Sequence, residues 1–247
     1  MPELAPYGRP AARLWVERGT PGVGDSSIGG PLLWPADEPW PHCTEPEVED
    51  HDPSPAMVPL AQIHAHDVPG PWWPDGMDVL QLLWCPFEHW DAPVNQSDLC
   101  PIVELRWRRA AAHAGAAQAD PPEPSEFAEE EFLPEPCVFT VEHLVDFPYR
   151  EELPPELRPA LGQLLLATDP EGGDSITRVA GWKLGGWPSW HLNYPRVIGC
   201  ESCGQPMTLL FTIASDNAPG IQVGRWGELR LFTCPTDHTH PLVADLH

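Results

Sequence analysis

Two stretches of the chain share one pattern: Ser27-Ile28-Gly29-Gly30-Pro31-Leu32-Leu33-Trp34-Pro35 and Lys183-Leu184-Gly185-Gly186-Trp187-Pro188-Ser189-Trp190. Each runs polar or charged, aliphatic, Gly-Gly, then a cluster of Pro and Trp. The sequence after each copy also matches. Met57–Ile63 lines up with Met207–Ile213, and Asp78–Pro86 lines up without a gap on Gly227–Pro235. Both second segments close in Cys-Pro-x-x-His, at His89 and His238. A shared order of turn, strand, strand and tail predicts an internal duplication with two halves in pseudo-twofold packing.

The expected class is mainly β with a few helices (α+β). Met57–Ile63, Val79–Trp84, Ile102–Trp107, Val138–Val141, Met207–Ile213 and Glu228–Thr233 read as strands, and Ile102–Trp107 has the period of two of a half-buried one. The 34 prolines in 247 residues disfavour long helices. The best helix is Pro154–Ala167, with Leu157, Leu161, Leu164 and Leu165 on one face. Residues 109–136 change composition, from an Ala-rich run to Asp120-Pro121-Pro122-Glu123-Pro124 and Glu129-Glu130-Glu131. They read as a flexible or weakly helical insertion between an N-terminal half (1–108) and a C-terminal half (137–247).

The Gly-Gly pairs permit positive φ and close backbone approach, and the Pro and Trp after them supply rigidity and apolar surface. Two readings follow: a turn that seats a Trp in the core, or an exposed binding ridge. On the second reading, Trp34, Trp187 and Trp190 form the contact surface.

Thirty-seven acidic against 13 basic residues, a net charge of -24, argue against nucleic-acid binding, which requires Lys and Arg against phosphate. The same charge suits a basic partner. Met1–Pro6 lacks the pattern of a signal peptide and no run of about 18 apolar residues occurs, so no membrane span and a cytoplasmic location are expected. The Ala/Pro/Gly/Arg/Glu bias, with Lys183 the only lysine, suggests a GC-rich bacterial genome. Seven cysteines in such a protein favour thiols or metal ligands over disulfides.

Cys200-Glu201-Ser202-Cys203-Gly204 has the form of a zinc knuckle. Two thiolates at that spacing can grip one tetrahedral ion from a tight turn. Strands lead from the pair to Cys234 and then to His238 or His240, completing a Cys3His set. His238 is preferred because the repeat places it opposite His89. Reduced structural thiols and a redox pair are the alternatives, although redox Cys-x-x-Cys motifs normally open a helix and this one precedes a strand. Four protein ligands point to a structural zinc. In the first half, His42, Cys43, Cys85 and His89 could mirror the site, but the Cys-x-x-Cys is missing and the copy reads as vestigial.

Evidence for catalysis is lacking. There is no Gly-x-Ser-x-Gly, His-Glu-x-x-His or Walker lysine, and Gly22-Val23-Gly24 lacks the rest of a phosphate loop. His64-x-His66 with Asp67 reads as a surface loop more readily than as a metal site. The leading expectation is a non-enzymatic module for a protein or peptide client. Its rivals are a zinc-dependent hydrolase using His238 or His240, and a binding companion of a secreted-toxin locus.

The motifs together resemble the YwqG-like family of bacterial domains of unknown function. The resemblance rests on Ile28-Gly29-Gly30-Pro31 with Trp34-Pro35, on Leu60-Ala61-Gln62-Ile63, on Leu80–Trp84 and on Gly185-Gly186-Trp187-Pro188. It covers most of the chain outside 109–136. It implies a mainly β, internally duplicated fold. By its distant similarity to the programmed-cell-death-two type of domain, it also implies a chaperone-like role toward a basic ribosomal client. It implies nothing about zinc, which rests on the cysteines themselves.

Overall fold

The computed structural model describes residues 2–44, 54–90, 99–113, 115, 117–168, 179–190 and 194–247. The fold is mainly β, with ten strands and two short helices among the described residues. The strands are β1 (Arg9–Arg18), β2 (Ser27–Ile28), β3 (Val58–His64), β4 (Val79–Trp84), β5 (Val103–Arg108), β6 (Cys137–Asp146), β7 (Lys183–Gly185), β8 (Thr208–Ala214), β9 (Glu228–Thr233) and β10 (Val243–Leu246). The helices are α1 (Ala110–His113) and α2 (Arg158–Thr168). The helix expected at Pro154–Ala167 therefore begins four residues later. Leu161 is buried on it, while the side chains of Leu164 and Leu165 lie outside the described residues.

All ten strands form one sheet in the order β10-β9-β8-β7-β1-β6-β2-β3-β4-β5. At its centre β1 and β6 pair antiparallel over ten positions, from Arg9 opposite Asp146 to Arg18 opposite Cys137. The order outwards from this pair is β2-β3-β4-β5 on one side and β7-β8-β9-β10 on the other. The irregularities correspond too. The β3–β4 ladder shifts register between Pro59 and Ala61, and the β8–β9 ladder shifts between Leu209 and Phe211. The extra residues, Leu60 and Leu210, are both buried in the main core. A bulge bends its strand and re-aims the side chains beyond it.

The chain division at 109–136 does not divide the sheet. β1 comes from the first half and pairs with β7 of the second, while β6 comes from the second and pairs with β2 of the first. One core accordingly draws on both halves, with Leu60, Leu82 and Trp84 packed in the same cluster as Leu184, Phe211 and Leu231. β4 is buried along its whole length and β3 nearly so, which is why both are mainly apolar, with Gln62 and Gln81 hydrogen-bonded to each other in the interior. The connecting segment is also tied down. Ala119 N donates to Trp34 O (2.8 Å), and Phe132 is buried with its carbonyl accepting from Trp84 Nε1 (2.8 Å). The segment read as a flexible or weakly helical insertion thus has anchors on the sheet at Ala119 and Phe132.

The Gly-Gly turns seat tryptophans. Gly29 and Gly186 lie at φ 64° and 73°. A Cβ on Gly29 would meet Glu135 O at 2.7 Å, and one on Gly186 would run into the Asp146 carboxylate. Beyond each turn an arginine covers an indole: Arg108 lies 4.4 Å from the ring centre of Trp34, and Arg230 lies 4.4 Å from that of Trp190. Acids hold both arginines. Arg108 reaches Glu38 through two bonds of 2.7 and 2.8 Å, and Arg230 reaches Asp245 at 2.7 Å. A guanidinium stacked on a ring and fixed by a carboxylate satisfies its charge without water.

The only lysine closes the second turn. Lys183 Nζ donates to Asp146 Oδ2 (2.8 Å) and to Trp187 O (2.6 Å), and the same carboxylate oxygen accepts from Trp187 N (2.8 Å). Both charged side chains are 2% exposed. Removing one member of such a pair strands the other charge in a low-dielectric interior. Asp146→Ala is therefore expected to cost about 3–5 kcal/mol of folding stability. Urea unfolding at neutral pH measures it, and a loss below about 1 kcal/mol would contradict the role given to this pair.

Candidate metal centre

The β8–β9 hairpin delivers three cysteines and one histidine to a single point. A bridge between Gly199 and Pro206 precedes β8, and its hairpin carries the knuckle: Gly204 N donates to Cys200 O (2.7 Å), and Cys200 N donates to Gln205 O (2.9 Å). Gly204 has φ 70°, the left-handed conformation that closes so tight a turn. Cys234 follows directly on β9. Cys200, Cys203, Cys234 and His240 place their donor atoms within 4.8 Å of one another and could hold a metal ion.

A tetrahedral ion about 2.3 Å from each sulfur sets the sulfurs about 3.8 Å apart. Cys203 Sγ lies 3.6 Å from Cys234 Sγ, and Cys200 Sγ lies 3.4 Å from His240 Nδ1. The donor set is thus spaced for a tetrahedral ion. Four protein donors fill such a shell and leave no position for substrate water.

The imidazole differs from the one preferred on the repeat. His238 is exposed and lies outside the cluster, lining a groove with Trp72, Trp73 and Trp107. The cause is the turn after Cys234. Asp237 Oδ1 accepts from Thr239 N (2.9 Å) and Thr239 Oγ1 (2.7 Å), and Asp237 O accepts from His240 N (3.2 Å). This turn folds the chain back on itself, so the ring two residues later meets the thiols.

The electrostatics favour a thiolate there. Burial opposes ionisation of Cys234, but the backbone N–H groups of Asp237 and Thr236, with His240 and Cys203, outweigh it and lower the thiol to about 6. The contact with Cys234 raises His240 above the usual imidazole range, against its own desolvation. At Cys203 the Gln205 backbone favours the thiolate, yet burial and the neighbouring sulfurs push the group up. A divalent cation would replace the shared protons and hold the thiolates together.

Of the first-half candidates, Cys43, Cys85 and His89 come together within 4.8 Å and could also hold an ion. Cys43 Sγ lies 3.7 Å from His89 Nε2. The thiol contact from Cys43, and then burial, push Cys85 up. His42 does not join them; it is exposed, with Nδ1 3.0 Å from Trp40 O. His64 is buried and His66 exposed, and neither belongs to a metal-competent group among the described residues.

The proposed Trp surface also changes. Trp34 and Trp190 are buried, held under Arg108 and Arg230, and are no contact surface. Trp187 is half-buried, with Arg9 3.4 Å from its ring centre and its Nε1 donating to Tyr7 O (2.9 Å). Trp15, Trp90 and Trp226 are instead among the exposed large side chains. Trp226 has φ 65°, a left-handed backbone that a bulky residue rarely adopts. It rims an acidic groove of about 520 Å³ lined by Arg18, Glu130, Glu131, Glu135 and Asp216. Sequence reading missed this groove because its walls come from 130–135 and 216–226, segments with no shared motif.

Comparison with known proteins finds no matching family model and no matching curated protein. Among the described residues, no helix is long and apolar enough to cross a membrane.

His240→Ala is expected to lose the ion at the knuckle on mild chelation, while His238→Ala retains it. Metal analysis of the two desalted proteins measures this, and the reverse result would return His238 to the site.

Proposed function

We propose that the protein is a non-enzymatic binding module for a basic peptide or partly unfolded protein, braced by a structural zinc at Cys200, Cys203, Cys234 and His240. The observation that carries it is the acidic groove with Trp226 at its rim. Four carboxylates against one Arg18 make the groove net negative by about three charges. An exposed indole in a strained backbone conformation is costly unless it is used. Together they offer charge to Lys or Arg side chains and an apolar face to the residue between them.

Zinc is the ion favoured by three thiolates and an imidazole at tetrahedral spacing. Its closed shell supports a structural role over a hydrolytic one. The ion and the groove occupy opposite ends of the β8–β9 hairpin, about 20 Å apart for a strand of this length. Pinning one end of the hairpin steadies the loop at the other. The matching order and bulges of the sheet support a doubled half-unit, and with the Gly-Gly and Trp-Pro motifs they support a YwqG-like, chaperone-like reading.

Trp226→Gly tests the groove without straining the backbone, because glycine accepts positive φ. Titrating a Lys/Arg-rich peptide into the full chain, the substitution is expected to weaken binding about 30-fold, the loss of a roughly 2 kcal/mol anchor, with folding stability unchanged or raised. Affinity should also fall as salt rises. Absence of binding by the unaltered protein, or equal binding by the variant, would reject the reading.

A further inference from the structure

The sequence pairs His89 with His238 and finds no second Cys-x-x-Cys, so the first half reads as having lost its site. The backbone registers differently. In the first half, an isolated bridge joins His42 to Ala56, with Cys43 N donating to Pro55 O (2.9 Å) and Met57 N to Pro41 O (3.0 Å). In the second, a bridge joins Gly199 to Pro206, with Cys200 N donating to Gln205 O (2.9 Å) and Met207 N to Ile198 O (2.8 Å). Cys43 therefore occupies the place of Cys200. Cys85 follows β4 as Cys234 follows β9, and His89 supplies the imidazole that His240 supplies in the other half. Two of the four donors recur on equivalent backbone, and a third is an imidazole supplied from the same tail two residues earlier; only the thiol of Cys203 has no counterpart.

We propose that Cys43, Cys85 and His89 bind a second divalent ion of the zinc class, in a two-thiolate, one-imidazole site whose remaining position takes a nitrogen or oxygen donor. Charge fits the burial of these groups. Two thiolates and a neutral imidazole cancel a divalent cation, whereas three thiolates leave one negative charge. The three first-half donors are 2%, 0% and 2% exposed, while Cys203 of the other cluster is exposed. A neutral centre can be sealed in the core, and a charged one is better left near water. The remaining cysteines, Cys100 and Cys137, are buried outside both clusters and cannot complete the set. The inference stands on backbone register and does not depend on the groove or its client.

The test uses the full chain and the metal alone. Metal analysis after zinc reconstitution is expected to give two ions per chain, falling to one in Cys85→Ser and in His89→Gln, with the knuckle ion retained. With cobalt as the probe, the ion lost in these variants should show a weaker thiolate charge-transfer band than the ion that stays. Because a buried substitution can prevent folding, chelation of the unaltered protein supplies a second readout. Removing the ions should open Cys43 and Cys85 to alkylation while Cys100 and Cys137 stay protected. One ion per chain, a Cys43–Cys85 disulfide, or Cys43 and Cys85 protected equally with and without metal would each overturn the proposal.

Discussion

β1 and β6 pair antiparallel over ten positions at the centre of the sheet, and the other strands are laid down outwards from that ladder. Each strand carries a half of the chain to the opposite side of the sheet, so β1 templates β7 and β6 templates β2. A half folded alone would expose one edge of a central ladder and lack its neighbour's apolar face. The Lys183–Asp146 pair lies at this crossing, since Asp146 ends β6 and Lys183 begins β7. Its burial couples a strand end to a Gly-Gly turn and fixes the backbone of Trp187.

The hairpins flanking the centre then position what is chemically distinctive. β3–β4 and β8–β9 share a bulge at the same place, and each brings a cysteine before its first strand near another after its second. Hydrogen-bonded backbone fixes these positions. An ion bound there would spend its binding energy on deprotonating and holding ligands, with less lost to ordering the chain. The opposite hairpin ends remain as loops, and one of them carries Trp226 beside the acidic groove.

Legibility in the sequence tracked locality. Val79–Trp84 and Glu228–Thr233 were readable to the residue because each is a short leucine-rich run that ends at a Cys-Pro turn signal. The stretch around Leu14 showed little of β1, a strand whose pairing partners β6 and β7 lie far away in the chain. The short β10 at the tail was also missed, since four residues carry no period. The knuckle was legible from Cys200 and Cys203, whose spacing suffices for one turn. The choice of His240 over His238 was not, because a two-residue difference in a turn set by Asp237 lies below the reach of a repeat alignment.

A proline-rich β protein with doubled motifs, an acid excess and three cysteines spaced as metal ligands was legible from the residues alone, because each of these is a matter of composition or short spacing. Three outcomes required the folded chain: the halves exchange strands, Trp34 and Trp190 are sealed beneath arginines, and Cys43, Cys85 and His89 meet. Those outcomes depend on long-range pairing across a sheet, where a residue's neighbours are set by register and not by its place in the chain.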